Sequence, residues 1–369
     1  MNGNTTRGPG RIAAVALSAV LAAAAGTTAT AAEAGTAGRA DRLAWRDDPM
    51  TDTLVGDLAI PWGIAFLPSG AALVTERSTA RLLRVGRRGE VRQVATISEA
   101  RPLFESGLLG VAVSPMFLVD HYVFLFYTSA SDNRIVRYRY SPTRGLRGGR
   151  VIVQGIPKGN STHLGGKLAF GPDGYLYAST GDATHTELPQ NRDSLAGKIL
   201  RMTKSGRPAP GNPFGSLVWS YGHRNVEGLT WDPAGRLYAT EFGSSKFDEI
   251  NRIHRGGNYG WPVVEGVAND PRFIDPLVTW TPDEASPAGV AYAKGALWVA
   301  ALRGKRLWHV PIKPGGGLDT PHTHFVEKYG RLRAVARTPD NRLWVGTSNK
   351  DGRAVPGPGD DRILQVTVP

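Results

Sequence analysis

The chain has 369 residues, among them 46 Gly, 26 Pro and no Cys, with a formal net charge of +12 at pH 7. The lack of Cys excludes a disulfide framework and a lipid-anchored cysteine, so the fold must be held by its core alone. The basic balance invites a nucleic-acid reading, but residues such as Arg84, Arg87, Arg88 and Arg92, or Arg144, Arg147 and Arg150, are dispersed and form no recognisable nucleic-acid module.

At the N-terminus, Arg7 and Arg11 precede an Ala-rich apolar stretch from Ile12 to Ala25, and Ala29-Thr30-Ala31 offers a small-x-small cleavage site. That is the layout of a secretory signal peptide, expected over residues 1–31 and followed by a flexible leader over 32–50. The stretch is short for a bilayer span, so stable membrane insertion is not expected, although an uncleaved anchor is the alternative. Loss of Arg7 and Arg11 with the signal takes the charge from +12 to +10 in an exported, extracytoplasmic protein.

From residue 51 onward one phrase recurs six times: a hydrophobic run, a Pro-x-Gly-like turn, and a second hydrophobic run. The turns fall at Pro68-Ser69-Gly70, Pro115, Pro172-Asp173-Gly174, Pro233-Ala234-Gly235, Ala293-Lys294-Gly295 and Pro339-Asp340-Asn341, spaced 46 to 61 residues apart. Between them lie β-branched and aromatic runs such as Tyr122-Val123-Phe124-Leu125-Phe126-Tyr127, with no long amphipathic helix. Repeats of this length built from short strands predict an all-β, six-bladed β-propeller over residues 51–369.

In such a blade the innermost strand leaves one face and the second strand returns to it. Residues about nine before and nine after each turn therefore collect on one face around the axis. They are Ser106, His163, Arg224 and Arg331 before the turns, and Glu76, Asp182, Glu241, Arg303 and Ser348 after them. A His among arginines is poised as a neutral general base, and converging arginines call for an anionic ligand such as a polycarboxylate. A strand-end His that merely caps backbone groups is the alternative.

Six segments carry a resemblance to a known family: Pro61-Trp62-Gly63-Ile64-Ala65-Phe66, Gly107-Leu108-Leu109-Gly110-Val111-Ala112, His163-Leu164-Gly165-Gly166-Lys167-Leu168, Gly174-Tyr175-Leu176-Tyr177, Tyr221-Gly222-His223-Arg224-Asn225 and Asn258-Tyr259-Gly260-Trp261-Pro262. In order, they resemble the motifs of the glucose/sorbosone dehydrogenases, soluble quinoproteins that use pyrroloquinoline quinone (PQQ). The resemblance covers residues 52–368 and implies a six-bladed propeller that oxidises the C1 hydroxyl of aldoses to lactones by hydride transfer to PQQ. It implies His163 as the general base and Arg224 with Asn225 at the reactive quinone oxygen. It further implies Arg331 and Arg333 at the PQQ carboxylates, with Arg303 in the place of a lysine and Glu105 beside them.

For the metal, the resemblance implies a cofactor-side Ca²⁺ on the carbonyls of Gly243 and Ser244, and a structural Ca²⁺ on Glu249 and the carbonyl of Tyr259. Two departures stand out: Thr162 replaces an Asp before the catalytic His, and Ser244 replaces a Pro. The implied partners are a sugar substrate and an external electron acceptor. Two rival functions remain open at this level: a calcium-dependent lactonase whose metal sits on carboxylates such as Glu76, Asp182 and Glu241, and a non-catalytic binding propeller.

Overall fold

The computed structural model describes residues 47–369, which contain six four-stranded antiparallel sheets. The signal peptide expected over 1–31 and most of the expected leader lie outside the described residues. Strand β1 (Thr51–Val55) pairs antiparallel with β24 (Ile363–Val366), Thr51 opposite Val366, so the two ends of the propeller share one blade. That sheet runs outward from β22 (Leu332–Arg337) through β23 (Leu343–Thr347) to β24 and β1. Closure by this ladder leaves the ring without an open end.

The other five sheets follow the chain without crossovers. They are β2 to β5 (Pro61–Phe66, Ala72–Glu76, Arg81–Val85, Val91–Thr96) and β6 to β9 (Leu108–Val113, Tyr122–Thr128, Asn133–Ser141, Gly145–Ile156). Next come β10 to β13 (Gly165–Phe170, Leu176–Thr180, Lys198–Met202, Val218–Tyr221) and β14 to β17 (Val226–Trp231, Leu237–Glu241, Asp248–Ile253, Val278–Trp280). The fifth blade holds β18 to β21 (Pro287–Ala293, Ala296–Ala301, Arg306–Pro311, His322–His324).

The recurring turn phrase joins the two inner strands of each blade. It needs one residue in the left-handed region, which explains Gly70 (φ 83°) and Gly174 (φ 77°). The second blade differs, because Pro115 leads into a single helical turn, α1 (Phe117–Asp120), and not a tight hairpin.

Second strands such as β3, β11, β15 and β23 are buried along their whole length, because each lies inside a sheet stacked between two neighbours. The blades are pinned by hydroxyls that cross from one to the next. Thr75 Oγ1 donates to Leu109 O at 2.5 Å, Ser179 Oγ to Val226 O at 2.8 Å, and Thr240 Oγ1 to Ala288 O at 2.5 Å. Inner strands also approach closely around the axis: a Cβ on Gly110 would lie 2.2 Å from Gly166 O, so only Gly fits there.

Every inner hairpin carries a register shift at the end where its first strand begins, for example between Gly165 and Leu168 and between Val226 and Gly228. Such bulges re-aim side chains at the rim of a sheet. The expected leader is already docked before residue 51: Asp48 accepts the backbone N–H of Phe325 at 2.7 Å, and Met50 O accepts that of Thr367 at 2.9 Å. Among the described residues no helix is long and apolar enough to cross a membrane.

Candidate active site

The polar ring forms on the face where inner strands begin and second strands end. His163 sits two residues before β10, with φ of 52°, beside Ser161 (φ 65°), Ala183 (φ 53°) and Thr184 (φ 65°). Left-handed backbone at non-glycine residues is uncommon and clusters where structure has been bent to aim a side chain.

The imidazole is held at both nitrogens. Nδ1 lies 3.0 Å from Asp182 Oδ1, and Nε2 lies 3.0 Å from Arg224 Nη2. A guanidinium only donates, so Nε2 is the accepting nitrogen and Nδ1–H donates to Asp182. The geometry thus assigns a neutral tautomer with its lone pair beside a fixed positive charge.

Asp182 also accepts Trp261 Nε1–H at 2.8 Å and Thr184 N–H at 2.8 Å. Burial opposes its ionisation, but the hydrogen bonds from His163 and Thr184 hold its carboxyl below the ordinary value. Asp182, which follows the far end of β11, thus orients the base. Glu105 accepts the backbone N–H of His163 at 2.9 Å and pairs with Arg353 at 3.0 Å, so it fixes the main chain that carries the base.

Arg224 is shaped by the Gly-His-Arg-Asn segment. Glu241 accepts its backbone N–H at 2.5 Å and bonds His223 Nδ1 at 2.8 Å. The His223 ring stacks on Tyr259 with centroids 4.6 Å apart. The Arg224 guanidinium lies 5.4 Å from the Trp261 ring centroid and donates through Nη1 to Gly243 O. Asn225 is engaged within the protein: Oδ1 accepts Gly165 N–H at 2.9 Å and Nδ2 donates to Glu227 at 3.1 Å.

The remaining predicted residues divide. Arg331 and Arg333 are buried on the ring but already have carboxylate partners, Asp351 at 2.9 Å and Glu227 at 3.0 Å. The arginines therefore do not all wait for an external anion. Arg303 is exposed and pairs with Asp283 at 2.6 Å. Ser106 Oγ donates to Arg101 O and stitches its own loop, and Ser348 bonds Arg333 and Asp351. Glu249, which the resemblance assigns to a structural Ca²⁺, is buried against Asn251 and Gly266 N–H, and burial with Glu241 nearby pushes it up to about 8.

Sequence reasoning missed Arg77, Glu227, Asp351 and Trp261. Arg77 is the most telling, since its buried guanidinium has no direct hydrogen bond or ion pair among the described residues. Burial, with Arg333 adding, pushes it down to about 10. Asp351, Glu105 and Glu227 act on it through space, and a desolvated guanidinium whose donors they do not take is a place for an anion. Its signal was readable, because Arg77 directly follows Glu76 at the end of β3, one residue beyond the counted ring position.

Gly243 and Ser244 lie in the turn between β15 and β16, with Gly243 N–H held by Asp248 Oδ1 at 2.9 Å. Among the described residues no three His, Cys, Asp or Glu side chains converge to hold a metal. The three carboxylates expected of a lactonase are each engaged separately: Glu76 with Arg81, Asp182 with His163, Glu241 with His223. A cavity of about 500 Å³ lies at the other mouth of the axial channel, between inner-strand ends such as Phe66, Phe170, Trp231 and Tyr292, remote from His163.

The structure of an aldose sugar dehydrogenase from Streptomyces coelicolor, solved with PQQ bound, superposes with a TM-score of 0.83 at 48% identity, covering 86% of this chain and 99% of that one. The aldose sugar dehydrogenase YliI of Escherichia coli is 27% identical over 82% of this chain and 90% of its own length. The quinoprotein glucose dehydrogenase B of Acinetobacter calcoaceticus is 32% identical over 59% of this chain and 53% of its own length. The family model described as glucose/sorbosone dehydrogenase matches residues 58–356, from just before β2 to the loop that precedes β24. On that match the chain belongs to the glucose/sorbosone dehydrogenase family.

Proposed function

We propose that this protein oxidises the C1 hydroxyl of aldose sugars to lactones, with PQQ as cofactor, Ca²⁺ as its bridge to the protein and His163 as the general base. The observation that carries the reading is the fixed tautomer of His163, whose unprotonated Nε2 faces Arg224 while Asp182 holds the other nitrogen. When bound, PQQ supplies the acceptor for the hydride that leaves C1.

The rest falls to the chain. His163 Nε2 takes the hydroxyl proton as the C1–O bond becomes a carbonyl, and Asp182 stabilises the imidazolium that results. Arg224 contributes a preorganised positive charge beside that transfer. Arg77, Arg331 and Arg333 offer the cations for a tricarboxylate, and among the described residues Arg77 has no direct ion pair to displace. The carbonyls of Gly243 and Ser244 are hard oxygen donors of the kind Ca²⁺ takes. Arg224 already donates to Gly243 O, which supports that carbonyl facing the site.

An external electron acceptor completes the cycle, and the N-terminal Arg7 and Arg11 with their Ala-rich segment support an exported enzyme. The lactonase reading lacks a carboxylate cluster among the described residues. Adding PQQ and Ca²⁺ to the purified chain should change the cofactor's absorption spectrum and give aldose-dependent dye reduction. Failure to bind PQQ, together with no dye reduction for any aldose tested, would overturn the reading.

A further inference from the structure

Between β15 and β16 the chain makes a tight excursion, Phe242-Gly243-Ser244-Ser245-Lys246-Phe247. Four successive backbone N–H groups in it point at one atom. Glu265 Oε1 accepts from Ser244 N at 2.7 Å, Ser245 N at 3.0 Å, Lys246 N at 2.9 Å and Phe247 N at 3.0 Å. Glu265 itself comes from the long connection between β16 and β17. The wrap leaves no room at its first residue, where a Cβ on Gly243 would lie 1.7 Å from Phe247 O and 2.6 Å from Glu265 Oε1.

The consequence follows from the peptide unit. In a trans peptide the N–H of one residue and the C=O of the residue before it lie in one plane and point in opposite directions. The N–H of Ser244 shares its peptide with the carbonyl of Gly243, and the N–H of Ser245 shares its peptide with the carbonyl of Ser244. Drawing those two N–H groups onto Glu265 therefore turns the Gly243 and Ser244 carbonyls away from it. The Gly243 carbonyl meets the Arg224 guanidinium. An ionised acceptor on the N–H side also strengthens the dipole of each peptide it bonds.

We propose that Glu265 is a positioning residue for the cofactor-side cation: by gathering the N–H groups of 244–247, it presents and polarises the carbonyls of Gly243 and Ser244 as a preformed pair of oxygen ligands. The assignment rests on the calcium reading of this site. Glu265 touches neither substrate nor reacting atoms and acts through the loop.

Glu265→Ala removes the acceptor, and Glu265→Gln keeps an oxygen but removes the charge. Calcium uptake is measured on the full chain by equilibrium dialysis with radioactive Ca²⁺ in the presence of PQQ, with circular dichroism to confirm the fold. Removing an outer partner of a metal ligand costs about 10- to 100-fold in metal affinity, so the Glu265→Ala midpoint should rise by at least about tenfold, with Glu265→Gln between it and wild type. Saturating Ca²⁺ should return kcat to the wild-type value, because His163, Asp182 and Arg224 are untouched; a merely structural role would lower thermal stability and leave the calcium midpoint in place. A wild type that binds Ca²⁺ beside a folded Glu265→Ala variant of equal affinity overturns this assignment alone. A wild type that takes up PQQ but no Ca²⁺ overturns the calcium reading and this assignment with it.

Discussion

Asp182→Asn tests the base most directly. The carboxylate accepts three hydrogen bonds, from His163 Nδ1 at 3.0 Å, Trp261 Nε1 at 2.8 Å and Thr184 N at 2.8 Å. An amide has one oxygen, so it can keep His163 and Thr184 only by setting its NH₂ against the Trp261 N–H. The bond to His163 then survives without its charge. A hydrogen bond to a charged group is worth about 1.5–3 kcal/mol, and two unit charges about 4 Å apart interact by about 4 kcal/mol at an effective dielectric of about 20. Loss of the carboxylate should thus cost the imidazolium roughly 2–4 kcal/mol. That lowers kcat by roughly 30- to 900-fold, at about 1.36 kcal/mol per tenfold. The assay is steady-state dye reduction with an aldose at saturating PQQ and Ca²⁺, with PQQ affinity and circular dichroism as controls. A folded, PQQ-loaded Asp182→Asn variant with kcat within about threefold of wild type would refute His163 as the base oriented by Asp182.

Arg333→Ala should lose PQQ affinity and also stability, because it strands buried Glu227, a change worth about 3–5 kcal/mol. Adding Glu227→Gln should restore the melting temperature but not PQQ binding, and recovery of both would assign Arg333 a purely structural role. Exhaustive chelation should release PQQ and abolish dye reduction, with Mg²⁺ restoring little because it demands a tighter octahedral shell; full activity in protein shown to be metal-free removes calcium from the reaction. Lys198 is buried, donates to the carbonyls of Leu188, Pro189 and Ala196, and is pushed down from 10.5 to about 7 by burial. The unfolded chain then holds that proton up to about pH 10.5 while the folded chain releases it near 7, so the unfolded state binds more protons across that window. This contribution to stability therefore rises with pH from about 7 to 10.5. Denaturant titrations of wild type and Lys198→Met across that range should diverge with this sign, and parallel curves would show that Lys198 does not titrate there.

The repeat of turn and strand was legible in the chain because it is local. Gly70 and Gly174 need left-handed backbone, hydrophobic runs flank them, and a fixed distance along two strands brings His163, Asp182, Arg224 and Glu241 to one face whatever their blade. That is geometry of period two, which a sequence carries directly. What each polar residue does once there was not legible. Asp182 binds His163, Arg303 pairs with Asp283, and Arg331 and Arg333 meet Asp351 and Glu227, which come from a loop and from another blade. Arg77 stands one residue past a counted position with no direct ion pair among the described residues, and Glu265 reaches the 244–247 turn from a separate connection. The sequence by itself determined the six blades and the face on which charge collects. Only the tertiary structure decided which charges neutralise one another and which remain for a ligand, since pairing depends on ångström-scale distances between blades that no spacing along the chain encodes.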